Sequence, residues 1–414
     1  MAAPTLISWN ITRRCNLACG HCYLDAVQRK RDAGDEQGLQ EASRVVQEIA
    51  ELAPGAMLVL TGGEPLLRHD LEDIVSRAAD TGLMPVIGTN GLMLDEQRAQ
   101  RLRKAGAVGV GISLDSVSSK FHDALRGKSG AWAGAMAGMR AARESGLRVL
   151  MQTTLFAENR DEIAGFADLA TDVRAMALNF FFLVCTGRGV TQTDLTPSAY
   201  EESLLAILDL QRARTDLMVR ARCAPYARKM LGLHAGEASN GYAEWSSACL
   251  AGRSYLRIGP QGDVTPCPYV PRASGSVRRQ TLREIWETGP DFVRLRGEMP
   301  SGKCGKCDYR VSCGGCRARS LATSGDLMAE DSKCTYCPAS SVSPERQPIR
   351  QPIAVVWTLE AQRLLDRIPG FVREKVRHNL ETKAQAAGEL SISADFMRAH
   401  RPASLPFGRP GSGT

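Results

Sequence analysis

LISWNITRRCNLACGHCY, Leu6 to Tyr23, is a short apolar run that stops abruptly in a loop carrying Cys15, Cys19 and Cys22. The run Leu6 to Asn10 has the length and composition of a β-strand. The three cysteines beyond it have the spacing C-x3-C-x2-C, which belongs to a loop of thiolate ligands. Three thiolates on one short loop suit a [4Fe–4S] cube and leave the fourth iron open to a small chelating molecule. The competing use is structural zinc, which ordinarily takes two separated Cys pairs.

Outward from this strand, β-rich runs alternate with amphipathic ones through the first half of the chain. Further strands are expected at Met57 to Leu60, Met84 to Gly88, Val108 to Leu114, Arg148 to Thr154 and Ala177 to Val184. Helical spacing of apolar residues marks Gln40 to Leu52, Asp70 to Ala79, Asp95 to Ala105, Trp132 to Glu144 and Asp161 to Leu169. Six βα units in series predict an α/β fold with a parallel sheet and right-handed crossovers. The short, regular connections favour a (β/α)6 partial TIM barrel over a doubly wound sheet. In both, the site lies at the carboxyl ends of the strands.

The cysteine loop obeys that rule, because it begins directly after the first strand. The second strand ends in Thr61-Gly62-Gly63-Glu64-Pro65, where two glycines allow close backbone approach to a ligand and Glu64 offers an acceptor. The third ends in Thr89-Asn90-Gly91, and the fourth in Ser113-Leu114-Asp115, with Ser113 and Asp115 on one side. Arg126, in LRGKSG, reads as a loop arginine able to pair with a carboxylate. The sixth strand runs into Thr186-Gly187-Arg188-Gly189, by default a turn.

At 414 residues and 43% hydrophobic, the chain can bury one large core and a smaller second unit, in two to three domains. Its 13 cysteines are an odd number and do not read as a disulfide framework; metal accounts for them better. The start, MAAPTLISWNITRR, has no apolar signal core or cleavage site, and no run of 18 apolar residues occurs, so a soluble cytoplasmic protein with no membrane partner is expected. The net charge of +7 is spread among 45 acidic residues rather than gathered in the blocks of a nucleic-acid binder. An anionic small substrate or an acidic partner fits equally well.

With C-x3-C-x2-C after strand one and GGEP after strand two, residues 5 to 190 resemble the radical S-adenosylmethionine superfamily. The resemblance implies that Cys15, Cys19 and Cys22 hold a [4Fe–4S] cluster whose open iron is chelated by S-adenosylmethionine. It implies that Gly62, Gly63 and Glu64 contact the methionine amine, and that Asn90, Ser113, Asp115 and Arg126 meet carboxylate or ribose. Electron transfer to the sulfonium then yields a 5′-deoxyadenosyl radical that abstracts hydrogen, and the protein's share is positioning and exclusion. No side chain is singled out as catalytic, and a reducing protein such as a flavodoxin or ferredoxin is the implied electron donor.

A second cysteine array lies downstream, with Cys249, Cys267 in GDVTPCPY, the run CGKCDYRVSCGGC holding Cys304, Cys307, Cys313 and Cys316, then Cys334 and Cys337. Zinc competes here too, since CxxC pairs are its commonest signature. The array resembles the SPASM domain, which carries one or two auxiliary [4Fe–4S] clusters. By that resemblance Cys304, Cys307, Cys313 and Cys334 form one cluster, and Cys249, Cys267 and Cys316 contribute to another. Only two residues separate Cys313 from Cys316 where the family has three, and Cys337 is extra, so the fourth ligand of the second cluster stays open among Cys223, Cys337 and an exogenous group. Cys185 reads as a packed thiol.

The expected divisions are a barrel at 1–215, a SPASM extension at 216–339, a linker at 340–352, a small helical domain at 353–400 and a tail at 401–414. In the helical domain Leu364, Leu365, Ile368, Phe371, Val372 and Val376 recur at helical spacing, Pro369 breaks the run, and a short helix is expected near Ser393 to Arg398. This stretch resembles the small domain of the light-independent protochlorophyllide reductase B subunit. NFFFLVCTGRG, RARCAPYAR and CGGCRARSLATSGDLMAED resemble radical enzymes of alternative heme and heme d1 synthesis. Both resemblances imply a tetrapyrrole substrate, modified by loss or oxidative decarboxylation of an acetate or propionate side chain. Arg188, Arg220, Arg222 and Arg228 are the expected carboxylate-accepting mouth. His21, His122, His234 and His378 are candidate axial ligands, none of them singled out. The rival activity is maturation of a ribosomally made peptide. Its enzymes often begin with a peptide-recognition domain, for which 14 residues before Cys15 leave no room. A non-enzymatic rival is an iron–sulfur or zinc scaffold.

Overall fold

The computed structural model describes residues 2–24, 26, 36–214, 216–227, 248–336, 355–368, 373, 376–377, 379–381, 383–384, 389 and 391–400. The chain divides into two units, Met1–Pro338 and Ala339–Thr414.

The first unit is built on one sheet. Seven strands run parallel and in chain order: β1 (Leu6–Thr12), β2 (Met57–Gly62), β3 (Met84–Thr89), β4 (Gly109–Ser113), β5 (Arg148–Leu155), β6 (Ala177–Phe182) and β7 (Met218–Arg222). Between them lie α1 (Leu39–Leu52), α2 (Leu71–Asp80), α3 (Glu96–Lys104), α4 (Ser119–Arg126), α5 (Ala131–Glu144), α6 (Ile163–Asp172) and α7 (Pro197–Ala213). A sheet wound in sequence order with right-handed crossovers puts every helix on one face, which is the arrangement of a barrel sector rather than of a doubly wound sheet.

Four strands extend the expected six, two of them parallel to those six. β7 carries Arg220 and Arg222, charges that hide a strand from a hydrophobicity pattern. On the opposite edge β8 (Tyr255–Ile258) pairs parallel with β1 in the register Leu6↔Tyr255 to Trp9↔Ile258. Antiparallel β9 (Asp263–Thr265) and β10 (Gly275–Ser276) come next in the sheet. Strand ends differ slightly from expectation: β1 continues to Thr12, and β6 stops at Phe182 instead of Val184.

The two faces of the sheet differ in chemistry. Ile7, Trp9, Ile11, Leu58, Leu60, Ile87, Val110, Ile112, Val149, Met151, Leu178 and Phe180 face the helices and are buried. The register brings Ser8, Asn10, Thr61, Gly88, Gly111, Ser113, Gln152, Thr154, Asn179, Arg220 and Arg222 onto the other face. Along β5 burial alternates residue by residue, half-buried on this second face and fully buried on the helical one. Parallel strands are usually apolar on both sides, so polar alternation marks the second face as the wall of a chamber.

In the second unit, Thr358 caps the helix Leu359–Asp366 and Ser393 caps the helix Ala394–Ala399. A two-residue parallel pair, β11 (Val356–Trp357) with β12 (Ser391–Ile392), was not anticipated. Ala361, Leu380, Ala384 and Ile392 form its core. Pro369, Phe371, Val372 and His378 lie outside the described residues. Among the described residues no helix is long and apolar enough to cross a membrane.

Phe180 of β6 and Phe166 of α6 are fully buried and meet edge to face, ring centroids 5.9 Å apart. Phe180→Ala is expected to destabilise the first unit by about 3–5 kcal/mol, read as a lowered urea midpoint.

Candidate functional site

The loop that leaves β1 has no ladder of its own, and three sequence-distant elements satisfy its peptide groups. At the end of β2, the Gly63 N–H donates to Thr12 O at 2.8 Å and the Glu64 N–H to Arg14 O at 2.7 Å. A Cβ on Gly62 would lie 2.3 Å from Thr12 O and one on Gly63 2.1 Å from Arg14 O, so both positions exclude a side chain. The backbone that the glycines were expected to admit against a ligand is, in the first place, that of the cysteine loop. At the end of α4, the carbonyls of Leu125 and Arg126 accept from Gly20 N–H at 2.9 Å and Ala18 N–H at 3.2 Å.

After β6, Arg188 closes the seat. Its Nε donates to Cys19 O at 2.9 Å, its Nη1 to Ala26 O at 3.0 Å, and its own N–H to Cys22 O at 3.0 Å. Arg188 is therefore a fastener of the cysteine loop, which corrects its expected place in a carboxylate-accepting mouth. Asn90 ties the loop from below, donating to the Asn16 side chain at 2.7 Å. Glu64, fully buried, accepts from Leu66 N–H at 3.0 Å, Thr89 Oγ1 at 2.7 Å and Asn90 N–H at 2.9 Å. Burial pushes its carboxyl up, and the donated hydrogen bonds oppose that only in part.

Arg126 stands in the last turn of α4 rather than in a loop, with Nη2 paired to Asp115 and Nη1 3.7 Å from Cys19 Sγ. Asp115 also accepts from Thr154 N–H at 2.9 Å, and its oxygen lies 3.5 Å from His21 Nε2. Burial works against the Asp115 charge, but Arg126, then His21 and His122, hold its pKa below the ordinary value. Burial drives His21 and His122 down to about 4, so both imidazoles are neutral at pH 7. Neutral His122 is occupied, its Nδ1 accepting Asp115 N–H at 3.1 Å. Near the cysteine loop, the buried Arg126 Nε and His21 Nδ1 have no hydrogen-bond partner among the described residues. An external polar group is what such atoms lack. Ser113 lies on the chamber face opposite Gln152.

The second array sorts into two sets. Cys304, Cys307, Cys313 and Cys334 line one cavity together with Lys303, Tyr309 and Asp331. Cys249, Cys267 and Cys316 converge with Cys223: Cys223, Cys249 and Cys316 all lie close enough to raise the Cys267 thiol further after burial, and Cys249 and Cys223 do the same to Cys316. Cys223 is thus the fourth thiol beside this set among the described residues; Cys337, another candidate for that place, lies outside them. Cys185 belongs to neither set and hydrogen-bonds the Asp194 side chain.

These thiols fit iron–sulfur ligation on two grounds. Backbone N–H groups two residues on are aimed at sulfur in Cys15 (from Leu17), Cys267 (from Tyr269), Cys307 (from Tyr309, 3.3 Å) and Cys313 (from Gly315, 3.4 Å). Ala26 N–H reaches Cys22 Sγ at 3.4 Å and Asp331 N–H reaches Cys304 Sγ at 3.4 Å. Such donors stabilise thiolate and tune clusters. Second, burial, and after it neighbouring charges (Glu64 then the loop thiols for Cys15, other thiols and Asp331 for Cys313 and Cys316), push these three up to about 12, so crowded thiolates here require a cationic core.

Comparison with known proteins agrees with this geometry. Residues 9–170 match the family model described as the Radical SAM superfamily, residues 249–316 the Iron-sulfur cluster-binding domain, and residues 357–401 the Proto-chlorophyllide reductase 57 kD subunit. An AdoMet-dependent heme synthase of Methanosarcina barkeri is 36% identical over 81% of this chain and 97% of its own length. A pre-heme d1 synthase of Dinoroseobacter shibae is 31% identical over 80% of this chain and 85% of its own. The structure of Streptococcus suis SuiB bound to precursor peptide SuiA superposes with a TM-score of 0.66 at 17% identity, covering 81% of this chain and 77% of that one, a likeness of fold.

Gly63→Ala is expected to unseat the cysteine loop, because Arg14 O cannot retreat from a Cβ placed 2.1 Å away. After anaerobic reconstitution, iron and sulfide analysis should find one four-iron cluster fewer per chain, with the auxiliary iron retained.

Proposed function

The chain belongs to the radical SAM superfamily, with an iron–sulfur SPASM domain in the same unit, and on that footing we propose that it modifies the carboxylate side chains of an iron tetrapyrrole. Cys15, Cys19 and Cys22 would hold the first cluster, S-adenosylmethionine bound there would supply the chemistry of hydrogen abstraction, and the auxiliary clusters held by the second cysteine array would offer a sink for the electron left over. The chain's own residues bind and orient. Main-chain groups of Gly62 and Gly63, the Glu64 and Asn90 network, and Ser113 border the place for the methionine end. Arg126 Nε, held in position by Asp115, offers an unused donor to a carboxylate.

The observation that carries the substrate class is Arg222. It lies on the chamber face of β7, burial lowers its pKa, and its hydrogen-bond partner is the neutral Asn179 at 3.4 Å. A buried guanidinium facing a polar chamber, with no carboxylate paired to it among the described residues, calls for an anionic ligand. It also adjoins Cys223, so a carboxylate bound there lies beside the auxiliary array. The relatives named for heme and heme d1 synthesis act on macrocycles that bear such carboxylates. Arg220 lies on the same face and Arg228 and His234 outside the described residues. We propose a small reducing protein, such as a flavodoxin or ferredoxin, as electron donor, and the cytoplasm as the compartment.

Anaerobic incubation of reconstituted protein with S-adenosylmethionine, a reductant and a panel of siroheme derivatives and other iron tetrapyrroles tests this reading. Mass spectrometry should find carboxylate loss, as side-chain removal or as loss of CO2 and two hydrogens per propionate. Cleavage to 5′-deoxyadenosine with every tetrapyrrole mass unchanged would turn the assignment to peptide maturation. No cleavage after confirmed cluster assembly would return the chain to a scaffold. Arg222→Gln is expected to raise KM for the tetrapyrrole at least tenfold, about 1.4 kcal/mol or more, with kcat changed less.

A further inference from the structure

Asp331 and Arg319 form an ion pair that is almost wholly buried, 0% and 2% exposed, and no part of the proposed reaction uses it. It lies between the two auxiliary cysteine sets and touches both. On one side, Asp331 N–H donates to Cys304 Sγ at 3.4 Å. On the other, Asp331 Oδ2 accepts the Cys316 N–H at 2.7 Å, and Arg319 Nη2 donates to Cys223 O at 2.9 Å. The pair itself is closed by Arg319 Nη1 to Oδ1 at 3.2 Å and Oδ2 at 2.9 Å.

The contact with Cys223 is more than incidental. Cys223 has a φ of 56°, in the left-handed region that non-glycine residues seldom occupy. Such a conformation persists only where the surroundings enforce it. Its carbonyl is held twice, by Arg319 and by the Tyr200 hydroxyl at 3.1 Å, and the Arg319 guanidinium lies 4.9 Å over the Tyr200 ring. Tyr200 stacks on Tyr226 at 5.1 Å, and Tyr226 lines the cavity of the other set.

We propose that Asp331 and Arg319 are positioning residues that join the two auxiliary cluster sites into one electrostatic unit, setting both reduction potentials together and holding Cys223 in its strained ligating conformation. This rests on the assignment of both sets as cluster ligands, while its test needs neither S-adenosylmethionine nor a tetrapyrrole. In so dry a place a unit change of charge acts on both clusters with the same sign. Removing the carboxylate charge favours the reduced clusters, and removing the guanidinium charge favours the oxidised ones.

The test uses the full chain with Cys15, Cys19 and Cys22 replaced by Ala, so that only auxiliary clusters contribute, and redox titration followed by EPR. Asp331→Asn should raise both midpoints and Arg319→Gln lower both, each by tenfold or more in the reduction equilibrium, about 59 mV for one electron. Opposite shifts in the two variants, shared by two signals, are not what simple loosening produces. Movement of one signal alone, or of neither, with iron content at the parent level would overturn the proposal. Where a charge variant loses iron or helical circular dichroism, Tyr200→Phe decides: it keeps the ion pair and frees one hold on Cys223 O. It should alter the EPR line shape of the Cys223 cluster alone, and an unchanged spectrum would overturn the positioning role.

Discussion

A loop of metal ligands cannot satisfy its own peptide groups. The segment that carries Cys15, Cys19 and Cys22 must present sulfur on one side, so it forgoes the ladders that strands and helices use, and the N–H and carbonyl groups not turned to its own sulfurs need partners from elsewhere. The ends of β2, α4 and β6 supply them, through Gly63 and Glu64, Leu125 and Arg126, and Arg188. The two glycines at the end of β2 are a consequence: the backbones approach so closely that a methyl group has nowhere to go. The barrel sector is the frame that lets three distant elements converge on one irregular stretch.

Much of this was legible in the sequence because the signals were local. The C-x3-C-x2-C spacing, the strand–helix alternation and the GGEP turn are written in consecutive residues, and strands β1 to β6 stand within a few residues of where hydrophobicity put them. What escaped were features defined only by assembly. Arg188 looked like one more cation near a mouth, and nothing in TGRG marks its side chain as a fastener 169 residues from its partner Cys19. Cys223 was one of three candidates for a vacant place, since neither its left-handed backbone nor its convergence with Cys249, Cys267 and Cys316 is a sequence property. Asp331 and Arg319 lie inside the segment CGGCRARSLATSGDLMAED, but nothing in it marks them as a pair; each is an ordinary charge until the fold buries both. β7 was missed for a related reason, because its two arginines point into the chamber and break the apolar pattern.

The sheet separates stability from chemistry by face. Toward the helices it is largely apolar, with Thr89 and Thr153 the buried polar side chains near its carboxyl ends, and this packed face is where the stability of the first unit resides. Toward the chamber it carries Asn10, Thr61, Ser113, Gln152, Asn179 and two arginines, with Gly88 and Gly111 filling gaps that larger side chains would crowd. Charges on this side are largely spoken for. Arg257 is already taken by Asn10 at 2.8 Å and Asp263 at 3.0 Å, and Arg126 by Asp115. The polarity of the chamber thus divides into groups already occupied and groups that await a ligand.

The pairing of β1 with β8 also bears on how the chain is made. Thr5 and Ser254, which begin that seam, are 249 residues apart. At a synthesis rate of roughly 5–20 residues per second, β1 is left as a bare strand edge for roughly 10–50 s after it leaves the ribosome. An uncovered edge is a template for wrong partners, and the strand concerned is the one that leads into the first cysteine loop. The edge of the barrel sector therefore stays open until β8, set within the stretch of auxiliary cysteines, has been made to seal it.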